Sequence, residues 1–186
     1  MKRLLALIFV LCVFCAGAAS AETVTSEGGV LDIGDGIALL TERGMVYTRN
    51  DDPASDIALT IYPYAYTGDM SSNINFTPFT NTYEADVDIV NGAREILKQS
   101  AISSYESAGI TVQAFECGSA FDVVIGSEPG VALDIKTTGT YLSVTYTVMQ
   151  RQIYIGSKGR TISLTAADTE TLDRMTKLLS SLVIWY

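Results

Sequence analysis

The chain has 186 residues, a formal net charge of −9 and no histidine. The absence of histidine excludes the Ser-His and Cys-His pairs of many hydrolases and removes the most frequent transition-metal ligand. The excess of acidic residues opposes binding to nucleic acid, whose phosphates need Lys and Arg contacts. We therefore expect no nucleic-acid partner, and the composition indicates neither a metal site nor a cofactor.

The N-terminus has the three parts of a secretory signal peptide. Lys2-Arg3 is followed by an unbroken apolar run from Leu4 to Cys15 and then by the small residues Ala19-Ser20-Ala21. A run of roughly a dozen apolar residues is too short to span a bilayer, which needs about 20. The sequence therefore predicts cleavage after Ala21, a secreted or periplasmic product, and no stable membrane insertion after the leader is removed.

The remaining chain is expected to be acidic and to form one domain. Removal of residues 1–21 takes away two basic residues, so 10 basic residues face 21 acidic ones, a net charge of −11. Residues 22–30 are polar and glycine-rich, which predicts a flexible lead-in to a single domain at 31–186. The lone Cys117 excludes an internal disulfide. Its apolar neighbours predict a small buried side chain without a nearby cation.

The first half of the domain is predicted to consist of short strands. Turn signals at Gly34–Gly36 and Arg43-Gly44 divide the segment from Leu31 to Tyr47. The segment from Ile57 to Tyr66 alternates, which predicts a strand with an apolar face and an opposite face that carries tyrosines. Pro63 indicates a sheet edge or a strand end.

Three tyrosines, Tyr62, Tyr64 and Tyr66, are the candidate binding residues of this strand. If all three project from one face, two interpretations are open. A helix covers them as part of the core, or they form an exposed aromatic platform that binds a partner protein, a peptide or a sugar.

The second half predicts a helix, a strand meander and a closing helix. Apolar residues recur at helical spacing from about Asp86 to Ala108, before a capping Gly109. Five strand-like runs follow, separated by Gly118-Ser119, Gly126–Gly130, Thr138-Gly139 and Gly156–Gly159. Asp168 then caps a helix whose apolar stripe is Leu172, Met175, Leu179 and Leu182, with Trp185-Tyr186 at its end. This order predicts an α+β fold in which helices cover an antiparallel meander.

Several of these features resemble the PsbP-like superfamily, which includes photosystem subunits and DcrB-like envelope proteins. The resemblance rests on Ser72–Phe76 after an early strand, on the helix leading into Gly109-Ile110, and on Gly159–Thr165 before a terminal helix. The proline-tryptophan segment of that family's first hairpin is absent, since Leu39–Glu42 stands there. The resemblance implies a non-enzymatic α/β/α sandwich that docks onto larger assemblies or serves the cell envelope. It implies no catalytic residue and no metal ligand.

Catalytic motifs receive little support from the sequence. Gly156–Gly159 lacks the spacing of a phosphate-binding loop and is interpreted as a hairpin turn. Asp86 and Asp88 are spaced wrongly for a calcium loop and suit a helix N-terminus. A non-enzymatic module that docks to a protein or cell-envelope component is therefore the leading hypothesis. The alternative is a hydrolase of extracellular glycan that uses a carboxylate among Asp51, Asp52 and Asp56.

Overall fold

The structure is a computed structural model, and it describes residues 22–34, 36–50, 57–80, 86–155 and 160–184. Several predictions lie outside these residues: the signal peptide at 1–21, the carboxylates Asp51, Asp52 and Asp56, the turn Gly156–Gly159, and Trp185-Tyr186. The strands are β1 Glu22–Gly34, β2 Ile37–Arg49, β3 Leu59–Tyr62, β4 Asn73–Thr80, β5 Thr111–Cys117, β6 Phe121–Ile125, β7 Glu128–Tyr141, β8 Val144–Ile155, β9 Arg160–Ala166 and β10 Val183–Ile184. The helices are α1 Val87–Ser107 and α2 Thr169–Leu178.

All described strands belong to one antiparallel sheet. Its order is β1-β2-β3-β4-β9-β8-β7-β5, with β6 continuing along β7 beyond β5 and β10 pairing with β2. The sheet thus consists of a meander from β1 to β4 and a second one from β9 back to β7, joined where β4 pairs with β9. The predicted α+β fold, an antiparallel sheet covered by helices, is confirmed.

The two helices cover opposite faces of the sheet. Alternate residues of β8 separate the faces, since Ile153 packs with Leu172 and Met175 of α2 while Tyr154 packs with Leu97 of α1. Each fully buried aliphatic side chain contributes roughly 1.5–3 kcal/mol, so the two clusters hold the three layers together. No helix in the described ranges is both long and apolar enough to cross a membrane.

Both helices begin where the sequence predicts, and α1 also ends there, but α2 ends at Leu178, so Leu182 of the predicted stripe lies beyond it, after a 3₁₀ turn at Leu179–Ser181. The Asp86 carboxylate accepts a hydrogen bond from the amide of Ile89 at 2.7 Å, and Asp168 accepts one from Thr171 at 2.7 Å. Such caps satisfy amide groups that the first helical turn leaves unpaired. Gly109 follows α1 with φ of +79°, a left-handed conformation in which glycine avoids the steric cost of a side chain.

The segment predicted as a flexible lead-in forms the first part of β1. Glu22 lies opposite Arg49, and the hydroxyl of Ser26 is hydrogen-bonded to that of Thr41 at 2.8 Å. The glycines that suggested flexibility occupy a strand with an irregular register. Gly44, predicted in a turn, similarly lies within β2, where its φ of +90° accompanies a register shift. Glycine here permits a bulge and continues the strand.

The hairpin after β7 turns four residues later than predicted. Thr138 and Gly139 lie inside β7, and the turn occurs at Leu142-Ser143. A Cβ atom at Gly139 would lie 2.9 Å from Cγ2 of Ile110, so this glycine permits close packing of two chain segments. The strand prediction was therefore correct, whereas the turn signal was wrong.

Arg151 fastens α2 to the sheet. Its guanidinium donates to both carboxylate oxygens of Asp134, at 2.7 and 2.8 Å, and to Asp173 of α2 at 2.8 Å. It also donates to the hydroxyl of Thr176 at 3.0 Å and lies 5.3 Å from the ring centroid of Phe121. Hydrogen bonds to Asp134 raise the pKa of Arg151, although its burial opposes the rise.

Candidate functional site

The three candidate tyrosines do not share one surface. Pro63 ends β3 directly after Tyr62, and because Ile61 packs on the α2 face, Tyr62 belongs to the α1 face. Tyr64 packs against the α2-face core, with the Arg174 guanidinium 4.7 Å from its ring centroid. Tyr66 lies in a short 3₁₀ helix and is 60% exposed. The predicted row is therefore divided, while a binding role for each tyrosine stays a prediction.

A groove of about 470 Å³ lies beside the free end of the β7–β8 hairpin. One wall is formed by residues of the hairpin, namely Tyr141, Leu142, Val144, Tyr146, Thr147 and Val148. The other wall is formed by residues 165–167 at the end of β9 and by Ser71 and Asn73 at the start of β4. Burial raises the pKa of the Tyr146 hydroxyl, so this phenol remains protonated and neutral at physiological pH. We call this site the hairpin groove.

The hairpin groove contains a free strand edge. β8 pairs with β7 along its whole length, but it pairs with β9 only from Met149 onward. The two-residue turn makes Tyr141 and Val144 a hydrogen-bonded pair. Hydrogen-bonded and non-hydrogen-bonded pairs alternate along an antiparallel ladder, so the backbone amide and carbonyl groups of Thr145 and Thr147 point away from β7. Within the described part of the chain no strand pairs with this stretch, so its backbone can accept another extended segment.

The tip of the hairpin combines backbone strain with exposed apolar surface. Leu142 and Ser143 have φ of 48° and 68°, which in a tight hairpin is usually left to Asn and Gly. Leu142 is also 80% exposed and its neighbour Val144 is 64% exposed. Left-handed residues other than glycine cost roughly 1–2 kcal/mol each. The strained turn holds an apolar side chain in water, and this combination marks the hairpin tip as a candidate contact site for a partner.

The charges that lie next to the groove in the sequence are acidic. Asp69 precedes Ser71 by two residues, and Asp168 follows the groove residue Ala167. Partial desolvation raises the pKa of Asp69, but hydrogen bonds from Ser72 and Ser71 outweigh it and lower the pKa to about 2. The backbone amide of Thr171 lowers the pKa of Asp168. Both carboxylates are ionised at neutral pH, and the positive charge of Arg174 also acts on Asp168.

The inner end of the groove meets a buried polar layer on the α1 face of the sheet. Its members alternate with apolar residues of the opposite face: Asn75 and Thr77 of β4, Thr137 of β7, Gln150 and Gln152 of β8, and Thr161, Ser163 and Thr165 of β9. Some of them pair with each other, as when Gln152 donates to Ser163 at 2.9 Å. The hydroxyl of Tyr105 in α1 donates to Gln150 Oε1 at 3.3 Å.

Four atoms of this layer are buried without a hydrogen-bond partner among the described residues: Thr137 Oγ1, Gln150 Nε2, Gln152 Oε1 and Thr165 Oγ1. Thr165 also lines the groove, and it lies opposite Gln150 in the β8–β9 pair. Thr137 lies opposite Val148, another groove residue. An unpaired buried polar group costs roughly 1–3 kcal/mol, and one of the four, the hydroxyl of Thr165, belongs to a residue that lines the groove.

Neither the groove nor the polar layer was predicted from the sequence. The turn at Leu142-Ser143 has no Gly, Pro or Asn to mark it, and the polar residues at alternate positions of β4 and β9 read as a solvated face. One usable signal was present: Gln150-Arg151-Gln152 places three polar residues at the centre of a long strand. No group of three or more acidic or cysteine side chains in the described chain is arranged to hold a metal ion.

Comparisons with known proteins find similar solved structures that share little sequence identity with this chain. One is the solution structure of cyanobacterial PsbP from Synechocystis sp. PCC 6803, with a TM-score of 0.49, 11% identity, and coverage of 95% of this chain and 99% of that chain. Another is the crystal structure of PA94 from Pseudomonas aeruginosa, a protein of unknown function, with a TM-score of 0.35, 12% identity, and coverage of 86% and 98%. No family model and no curated protein matches the sequence.

Proposed function

We propose that this protein is a non-enzymatic extracytoplasmic binding module, a divergent member of the PsbP-like superfamily, that captures an extended peptide segment of a partner protein in its hairpin groove. The free edge of β8 carries this proposal. Strand addition supplies main-chain hydrogen bonds, while side chains that alternate along the added segment enter the flanking pockets. The predicted leader supports the compartment, and the order of helices and strands supports the family.

The chemistry of the groove limits what the captured segment contains. Residues 137–148 of the hairpin include no charged residue and no proline, and the groove walls are mainly apolar. The segment should therefore have apolar or threonine-rich residues at alternating positions. Asp69 and Asp168, which neighbour groove residues in the sequence, and the net negative charge of the chain favour Lys or Arg at its ends.

The test is selection of a random peptide library displayed on phage against the purified protein, followed by titration of the enriched peptides. We expect alternating apolar sequences with basic ends. Thr147→Pro removes a free edge amide and should weaken binding at least about tenfold, a loss of about 1.4 kcal/mol. Thr147→Val is the matched control, because it removes the same hydroxyl and keeps the amide, and it should bind like the parent protein.

Two further variants separate the hairpin groove from the tyrosines. Tyr66→Ser changes an exposed aromatic residue outside the groove and should leave peptide binding unchanged. Tyr64→Ser tests the second candidate, with circular dichroism as a check on folding because Tyr64 packs against the core. Library selection without enrichment would refute peptide capture. Loss of binding in Tyr66→Ser together with full binding in Thr147→Pro would move the site to the tyrosines.

A further inference from the structure

A second pocket, of about 370 Å³, lies at the other end of α1 from the hairpin groove. The C-terminal end of α1 is near the hairpin tip, since a Cβ at Gly109 would lie 3.8 Å from the ring of Tyr141. The second pocket instead lies between the first half of α1 and β5, where Phe115 and Cys117 form one side. We call it the α1 pocket.

Two cationic side chains of α1 line this pocket. Arg94 and Lys98 are four residues apart and so lie on the same side of the helix. In the part of the chain that the structure describes, neither forms an ion pair within 4.0 Å, although four other ion-pair contacts are present. Residues 22–186 carry a net charge of −11, so two unpaired cations facing one pocket are a local exception.

Arg94 is anchored by one hydrogen bond and has a further N–H group without an acceptor in the described chain. Its Nη2 donates to the carbonyl oxygen of Cys117 at 2.5 Å, which anchors the guanidinium to β5. Its Nε is buried and has no partner among the described residues. A guanidinium with unused N–H groups presents them in a planar fork that matches the oxygens of carboxylate and phosphate.

The other polar groups of the pocket fit the same kind of ligand. The Asn91 side-chain oxygen accepts from the amide of Ala120 at 2.9 Å, so its remaining polar group is the NH₂ donor. Among the described residues that line the pocket, Glu95 is the one acidic side chain, and its carboxylate accepts from Gln99 along the helix at 3.1 Å. Gly92 leaves the wall open, because no atom lies within 4 Å of the position of an added Cβ.

We propose that the α1 pocket binds a small oxyanion, a carboxylate or phosphate group, through Arg94, Lys98 and the amide of Asn91. The ring of Phe115 and the half-buried thiol of Cys117 form its apolar side. The sequence-based expectation that Cys117 has no cation nearby was wrong, because β5 runs beside the helix that carries Arg94 and Lys98. This site is independent of peptide capture in the hairpin groove.

The test is an NMR titration of the isotope-labelled protein with sodium phosphate and, separately, with sodium acetate, each against sodium chloride at matched ionic strength. We expect saturable shifts of the Arg94 Nε–H and Asn91 NH₂ signals with at least one oxyanion and none with chloride. The relative affinities for phosphate and acetate then identify which oxyanion the pocket prefers.

Substitutions make the result specific to the pocket. Lys98→Gln does not disturb the anchor between Arg94 and Cys117, and it should weaken oxyanion binding about tenfold, as expected for loss of a charge-assisted hydrogen bond. Glu95→Gln removes the acidic neighbour and should tighten binding. Lys136→Gln, elsewhere on the sheet, is the control and should bind like the parent. Shifts that do not saturate with either oxyanion, or equal affinity after Lys98→Gln, would overturn the proposal.

Discussion

Replacement of the hairpin turn separates backbone strain from function. Leu142→Asn with Ser143→Gly converts the strained turn to the Asn-Gly pair that suits positive φ at both positions. A left-handed backbone costs roughly 1–2 kcal/mol for each residue other than glycine, so relief of this strain should stabilise the fold. The new glycine offsets part of the stabilisation, because it increases the conformational entropy of the unfolded chain. Because Leu142 is 80% exposed, little packing is lost. We expect the free energy of unfolding to rise by about 1.5 kcal/mol.

The assay is urea and thermal unfolding of the double variant beside the parent protein. An increase of this size should raise Tm by about 3–6 °C for a domain of this length, with an unchanged urea m-value. Leu142→Ala is the control: it removes the exposed side chain and retains the strain, so stability should change by less than about 0.5 kcal/mol. Both variants should bind the selected peptides more weakly. Unchanged or reduced stability in the double variant would refute the argument from strain.

Three further predictions concern the core, the polar layer and Asp69. Arg151→Met should lower the free energy of unfolding by about 3 kcal/mol, because it leaves the partly buried carboxylate of Asp134 without its ionic partner. Arg43→Met removes an exposed ion pair and should cost less than about 0.5 kcal/mol, and urea unfolding of both variants measures the difference. Thr137→Val should stabilise the protein by about 1 kcal/mol, because it removes an unpaired buried hydroxyl. Thr77→Val should destabilise it by a similar amount, because the Thr77 hydroxyl donates to the carbonyl of Thr161. Effects of the same sign would contradict the assignment of the Thr137 hydroxyl as unpaired. NMR titration should find the pKa of the Asp69 carboxylate at about 2, so its stabilising effect is complete above its usual value of 3.8 and is lost as the pH falls through 2.

The parts of the fold that the sequence predicted are those where several local signals coincide. α2 has an acidic cap at Asp168 and an apolar stripe at helical spacing, and both point to the same start and the same buried face. α1 has a cap at one end and a glycine in the left-handed region at the other. Where one residue type has two uses, the prediction failed. The glycines at 139 and 44 predict turns, but in the structure Gly139 permits close packing and Gly44 permits a bulge.

The candidate site was hidden for a related reason. A strand pattern such as Asn73, Asn75 and Thr77 between apolar residues has the same period whether its polar face meets water or protein. Burial of that face is decided by tertiary packing, which the pattern does not contain. The prediction that the three tyrosines share one face was wrong. It assumes that the alternation of a strand continues through Pro63, whereas β3 ends at Tyr62. Tyr62 lies in β3 as predicted, but Tyr64 and Tyr66 lie beyond its end, before and within a short 3₁₀ helix, so they do not share its orientation.

The other exposed edges of the sheet are protected against unwanted strand pairing, and the free stretch of β8 can be compared with them. An open strand edge is a template for unwanted pairing, and natural sheets protect it with charge, bulges or short strands. β1 carries Glu22, Glu27 and Asp32 and has two register shifts. The opposite side of the sheet is divided between two short strands, β5 and β6, which carry Glu116 and Asp122.

The edge of β8 at residues 144–148 has none of these protections. It contains no charge and no proline, its register with β7 is regular, and it borders an apolar groove with a strained, exposed leucine beside it. A protein that protects its other edges and leaves this one open would be prone to aggregation unless a partner paired there. Addition of one charge to the edge, as in Thr145→Lys, should therefore reduce self-association at high concentration and peptide capture together. Static light scattering and peptide titration of the same samples would test both, and loss of neither would contradict the assignment of this edge.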